Sequence, residues 1–163
     1  MGTKFESLLE DKSYVTIENA LIKLWSNFPE KRIEYLNKTS KVIGLPDKNV
    51  RLLWLTLALI TEEYNPKLKE SYFKELNSYT DSNNHFEVRQ LAFQYLIQIQ
   101  ALNDFALINL VKATQHHAWQ FKKVSKNLLK KVIENNTIKE RLLKISTTLS
   151  DKEKNTLNQL INQ

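Results

Sequence analysis

The amino-acid sequence predicts an all-α protein, and three observations carry that expectation. The 163 residues include two glycines and three prolines, too few for a fold built on many tight turns, because β-hairpins and phosphate loops draw on glycine's positive φ. Apolar residues recur at i, i+3, i+4, i+7 and i+8, the spacing of one helix face. The segments that show this spacing are joined by short stretches rich in cap and turn residues, which makes consecutive helices antiparallel neighbours.

The elements follow in order. The polar start MGTKFESLLEDK reads as a flexible N-terminal linker or expression start over residues 1–12, ahead of a single helical domain over 13–163. Ile17, Ala20, Leu21, Leu24, Trp25 and Phe28 share one face of a helix near 14–27. Phe28-Pro29-Glu30 breaks it and opens a second, near 29–40, because proline suits a first helical turn and disfavours helix in the residue before it. Gly44-Leu45-Pro46-Asp47 ends the second helix, and Asp47 is a candidate N-cap for a third near 48–63. That third segment, VRLLWLTLALI, is apolar almost all round and short of membrane length, so it is expected to be a central helix covered on both sides.

Asn65-Pro66 supplies a cap and an N1 proline for a helix near 66–79. Val88, Leu91, Ala92, Tyr95, Leu96 and Ile99 define one near 85–99, and Asn103-Asp104 offers a cap for 104–114. Helices near 117–135 and 137–147 follow, and Ser150-Asp151-Lys152-Glu153 fits a capping box opening 151–161. The total is about nine helices.

Bulk chemistry excludes several classes of function. With no cysteine there is no disulfide, cysteine-ligated zinc or thiol nucleophile. No apolar run approaches the roughly 20 residues of a membrane span, and the start lacks the apolar core of a signal peptide, so a soluble chain without a membrane partner is expected. The net charge of +6 is concentrated: residues 112–144 hold nine Lys or Arg against Glu134 and Glu140, an excess above the whole chain's. An electrostatic partner would meet that region.

No zinc His-Glu-x-x-His, glycine-rich phosphate loop or Gly-x-Ser-x-Gly elbow occurs. His116 and His117, adjacent on a helix, would point about 100° apart and are poorly placed to share a metal. Trp25, Trp54 and Trp119 lie on or beside apolar faces, which points to core packing. The candidate binding feature is the basic face of the helix near 117–135. Lys122, Lys126 and Lys130 follow one another at i+4 opposite Val124, Leu128 and Val132, with Lys123 and Lys131 nearby. Such a face is either simply solvated or recognises an anion: a peptide carboxylate, an acidic protein or a phosphate backbone.

A repeat runs through these helices. Thr16/Ala20/Leu24, Val50/Trp54/Ala58, Val88/Ala92/Leu96 and Val124/Leu128/Val132 occupy equivalent positions, separated by 34, 38 and 36 residues. A polar cap, then Val-Arg, then a small or apolar residue four later resembles the HEAT-type repeat, clearest at 47–59 and 85–96. The resemblance implies antiparallel helix pairs stacked as a HEAT-like α-solenoid, with Arg51 and Arg89 as inter-repeat structural arginines facing a carboxylate or helix-end carbonyls.

The runs SYVTIENALIKLWSNFPEKRIEYLNKT, NVRLLWLTLALITEEYNP and HFEVRQLAFQYLIQIQAL, with NLVKATQHHAWQFKKVSKNLL after them, together resemble the C-terminal helical region of bacterial gluzincin-family zinc aminopeptidases, relatives of aminopeptidase N and leukotriene A hydrolase. The resemblance covers roughly residues 13–135 and implies a division of labour. Zinc and the catalytic groups belong to an upstream catalytic domain of the same polypeptide. This chain would carry no catalytic, cofactor-binding or metal-binding residue, would pack on that domain, and would help enclose its peptide cleft. AWQFKKVSK resembles the region where some members offer cations to the far end of the peptide, which makes Lys122, Lys123 and Lys126, with Lys130, candidate contacts for a substrate carboxylate or acidic partner. A domain of this kind would also expose an apolar patch along one edge of its early helices. The alternatives from other classes are a free-standing HEAT-like scaffold binding an acidic protein, and a nucleic-acid module, the less favoured of the two.

Overall fold

The computed structural model describes residues 2–44 and 48–163, and every regular element among them is helical. The helices are α1 (Gly2–Glu6), α2 (Tyr14–Asn27), α3 (Arg32–Thr39), α4 (Asn49–Ile60), α5 (Lys69–Ser78), α6 (Phe86–Gln98), α7 (Asp104–Ala113), α8 (Trp119–Ile133), α9 (Asn136–Ile145) and α10 (Asp151–Ile161). Short 3₁₀ turns stand at Ser7–Glu10, Pro29–Lys31, Pro66–Leu68 and Ser146–Thr148. The chain divides into two compact units, Met1–Leu76 and Asn77–Gln163, where the sequence had suggested one domain over 13–163.

In the first unit α2 packs against α3, α4 and the 3₁₀ turn Ser7–Glu10. Helix α4 is its centre: Val50 and every residue from Leu52 to Ala58 are buried. A helix with no polar side must have its few polar atoms met by neighbours. The Trp54 indole N–H donates to the Leu36 carbonyl at 2.8 Å, and its ring meets Tyr64 and Tyr72 edge-on, with centroids 5.8 and 5.1 Å away. Lys69 donates its ammonium to the carbonyls of Ala58, Leu59 and Thr61 at the C-terminal end of α4, where a cation also meets the negative end of the helix dipole. Burial pulls that ammonium below its ordinary value.

Arg51 closes the other end of α4. Its Nε and Nη2 donate to the two carboxylate oxygens of Glu75 on α5, each at 2.7 Å, and Nη1 donates at 3.0 Å to the carbonyl of Ser40, the residue that ends α3. One planar guanidinium thereby fixes three elements in a bidentate geometry that a lysine would not reproduce. Gly44, between α3 and α4, has φ +86°, and a Cβ there would run into the Asn49 side chain, so glycine is favoured at that turn.

The N-terminal segment departs from the linker expected over 1–12. Gly2–Glu6 and Ser7–Glu10 are helical, and Leu9 is only 1 % exposed. The cause is a polar tie: Lys31 and the Tyr35 hydroxyl donate to Glu6 at 2.8 and 2.9 Å. These two bonds hold the Glu6 carboxyl below its ordinary value, while burial, followed by the bond to Glu6, pushes the Tyr35 hydroxyl up to about 12. One cap assignment also changes: Asn65 adopts the left-handed region and its side chain bonds Tyr72 rather than capping. Asp47, the candidate cap for α4, lies outside the described residues. Asn103 and the Ser150–Glu153 capping box hold as the sequence suggests.

In the second unit α6 and α7 both pack on α8, α9 packs on α7 and α8, and α10 lies against α7 and α8. A buried polar network organises the turns between helices. Asn77 donates to the Ala101 carbonyl and accepts from the Asn103 amide, Asn109 donates to the Thr80 hydroxyl, and Arg89 donates through Nε to the Thr80 carbonyl at 2.9 Å. Arg89 is 4 % exposed and lies over the Phe121 ring at 5.1 Å. Burial draws its guanidinium below the ordinary value.

Two substitutions test these assignments. Arg51→Met removes three hydrogen bonds but leaves Glu75 able to turn to solvent, so chemical denaturation should show a loss of about 1–2 kcal/mol. The Ser125 hydroxyl, buried in α8, has no hydrogen-bond partner among the described residues, so Ser125→Ala should stabilise by about 1 kcal/mol. A destabilised Ser125→Ala variant would reveal a role for the hydroxyl that packing does not account for.

Candidate basic groove on helix α8

The site is built on the orientation of α8. Four of its residues, Phe121, Ser125, Leu129 and Val132, are buried, a stripe at i, i+4, i+8 and i+11. Phe121 anchors this stripe: it meets the Arg89 guanidinium, the Phe86 ring at 5.9 Å and the His116 ring edge-on at 5.0 Å. The sequence register Val124/Leu128/Val132 is therefore displaced at its first two positions, and Val124 and Leu128 flank the core rather than fill it. The reason is that phenylalanine at 121 outweighs the smaller side chains in the competition for buried area.

The start of α8 is unusual. Ala118 stands at the N-cap, where alanine has no side-chain acceptor, and His116 supplies one instead: its Nδ1 accepts the Ala118 amide at 3.1 Å. The helix accordingly begins at Trp119, two residues later than the sequence boundary at 117. The His116 and His117 rings stack with centroids 4.2 Å apart. Burial first, then the neighbouring His117 and Arg89, hold the His116 imidazole below its ordinary value, which favours the neutral form that can accept the amide. Among the described residues no three His, Asp or Glu side chains converge as metal ligands.

With Phe121 turned inward, Trp119 falls on the far side of the helix, and it is 67 % exposed rather than part of the core. Lys122 and Lys126 are half-buried along the border of the core stripe, and Lys123 and Lys130 are exposed. All four lysines line one open groove of about 420 Å³, with Trp119 among the residues around it. The second wall comes from α10: Thr156, Gln159 and Leu160. Leu157 buries the inner side of α10, and Gln115 fixes its position by donating to the Thr156 hydroxyl at 2.8 Å. None of the four lysines forms an ion pair among the described residues. The structure thus gathers Lys122, Lys123, Lys126 and Lys130 into one feature. Arg51 and Arg89 lie elsewhere, each bonded to protein groups.

Sequence reasoning missed three participants. Trp119 was assigned to the core, and reading the helix register from Phe121 would have placed it outside. Neither the α10 wall nor the acceptor role of His116 leaves a mark in local periodicity, since both depend on tertiary packing.

Earlier in the chain, Val15 and Ile22 lie seven residues apart on the outer side of α2 and are 63 and 42 % exposed. Glu18 and Asn19 lie between them on that face, so Val15 and Ile22 are two separate apolar side chains and not a continuous patch.

The titration of His116 gives a pH prediction. The unfolded chain takes up the proton as pH falls through about 6.5, whereas the fold resists it until lower pH, so stability should decline as pH drops below that value. His116→Asn keeps an acceptor oxygen for the Ala118 amide and removes the titration. Denaturation midpoints at pH 7.5 and 5.0 should differ in the unsubstituted protein by more than in His116→Asn, and equal pH slopes would contradict the assignment.

Comparison of the chain with known protein families, with characterised proteins and with solved structures finds no match.

Proposed function

We propose that the chain is the non-catalytic C-terminal helical domain of a gluzincin-family zinc aminopeptidase. In this reading it has a HEAT-like arrangement of helix pairs, packs on an upstream catalytic domain of the same polypeptide, and helps enclose the peptide cleft. Zinc resides in the upstream domain, and the chain alone hydrolyses nothing. The observation that carries the reading is the distribution of chemistry-bearing side chains. Arg51 and Arg89, the two arginines of the Val-Arg pairs, are engaged by Glu75, Ser40 and Thr80, while Lys122, Lys123, Lys126 and Lys130, four of the chain's many surface cations, are gathered along one groove on α8.

Two further features support it. The segments that resemble the aminopeptidase region lie in order on α2, α3, α4, α6, the second half of α7 and most of α8, and Val15 and Ile22 add two exposed apolar side chains on α2. Lys122, Lys123 and Lys126, together with Lys130, are then available to the carboxylate end of a bound peptide. A second reading, a free-standing HEAT-like scaffold for an acidic protein or nucleic acid, is favoured by one observation, the absence of ion pairs at these four lysines among the described residues.

The experiment is a peptidase assay with aminoacyl chromogenic substrates, run on this chain and on the chain joined to the sequence encoded upstream of it. Cleavage by the longer protein alone, abolished by a chelator, is the expected result. Absence of cleavage by both, or cleavage that a chelator leaves intact, would remove the aminopeptidase reading.

A further inference from the structure

We infer that the groove between α8 and α10 is a docking site for an extended acidic polypeptide segment. The inference rests on the geometry of these two helices and holds whether or not the chain has a catalytic partner.

Charge selects the ligand first. Among the described residues four lysine side chains line the groove and no Asp or Glu side chain does, so the side-chain charge there is positive. Spacing selects its conformation. Lys122, Lys126 and Lys130 are each one step of four residues apart, about 6 Å along the helix axis. Alternate residues of an extended peptide lie about 6.6 Å apart on one side of the chain. Glutamate or aspartate at every second position therefore meets successive lysines, and the row from Lys122 to Lys130 spans about 12 Å, enough for four or five peptide residues.

The opposite wall suits a peptide backbone. Gln159 presents an amide that both donates to and accepts from a peptide backbone, and the Thr156 hydroxyl, which donates to the Lys152 carbonyl and accepts from Gln115, keeps one lone pair for a peptide N–H; neither carries charge to repel an acidic ligand. Trp119 offers a broad face to a neighbouring aliphatic or proline side chain. Single-stranded nucleic acid is the less suitable occupant, because sequence-tolerant binding of that kind stacks successive bases on successive aromatics, and Trp119 is the sole aromatic lining this groove.

The test uses the full chain at 50 mM salt with three fluorescein-labelled probes: hexaglutamate, hexalysine and a hexamer of thymidylate. Anisotropy should show hexaglutamate binding that weakens as salt is raised, no binding of hexalysine, and weaker binding of the oligonucleotide. The triple variant Lys122→Gln/Lys126→Gln/Lys130→Gln should bind hexaglutamate at least tenfold more weakly. The control Lys12→Gln/Lys23→Gln/Lys67→Gln, with the same net charge, should stay within about twofold of the unsubstituted chain. Matched melting temperatures for the two triples would show that folding is not the cause. Trp119→Phe should abolish any tryptophan emission shift that hexaglutamate produces. Equal weakening in both triples would overturn the proposal by showing that net charge alone binds the probe. Tighter binding of the oligonucleotide would replace the acidic peptide with nucleic acid, and no hexaglutamate binding at 50 mM salt would remove the site. The peptidase assay is unaffected by any of these results, so the two readings fail separately.

Discussion

A helix that is apolar on every side can exist in water only if its neighbours cover it completely, and α4 imposes that constraint on the first unit. Almost its entire surface is buried, so α2 and α3 are held where they can cover it. The polar atoms around α4 then become joints. Arg51 gathers α5 and the end of α3, Trp54 bonds the Leu36 carbonyl, and Lys69 meets the exposed carbonyls at the C-terminal end. Each bond satisfies a group that burial would otherwise leave stranded, which is where such contacts matter most.

The second unit uses a buried arginine in a different way. Among the described residues Arg89 forms no ion pair with a carboxylate. It bonds the Thr80 carbonyl and lies over Phe121, and so acts through packing as much as through charge. Because Phe121 is turned inward, the rest of α8 is oriented: Ser125, Leu129 and Val132 follow it into the core, and Trp119 and the lysines are left on the other side. The groove is a consequence of that choice. A residue buried at the start of the helix decides which cations face the groove, and His116 holds the first turn by accepting the Ala118 amide.

The legible part of this fold was set by short-range chemistry. Helices α2 to α10 lie within a few residues of their sequence boundaries because Pro29, Pro66, Asn103 and Ser150 act on the backbone immediately beside them. The illegible part depended on contacts distant in sequence. Nothing in MGTKFESLLEDK announces that Glu6 will find Tyr35, 29 residues away, or that Leu9 will be covered. Asn65 looks like a cap until Tyr72 takes its side chain. In α8 the repeat spacing favoured Val124, and the larger Phe121 overrode it. The lysines of the site were visible as an i+4 row, whereas the α10 wall that makes the row a groove was not.

Architecture and proposed recognition fall on different residues: arginines hold the helices, and the α8 lysines line the groove proposed to take an acidic segment. The most direct measurement reads both properties on the same samples, melting temperature and hexaglutamate affinity, for Arg51→Met, Arg89→Met and the paired variant Lys126→Gln/Lys130→Gln. The account predicts that Arg51→Met lowers the melting temperature while the folded protein retains its affinity, and that the lysine pair loses affinity at an unchanged melting temperature. An arginine variant that melts normally and fails to bind, or a lysine pair that binds normally, would contradict it.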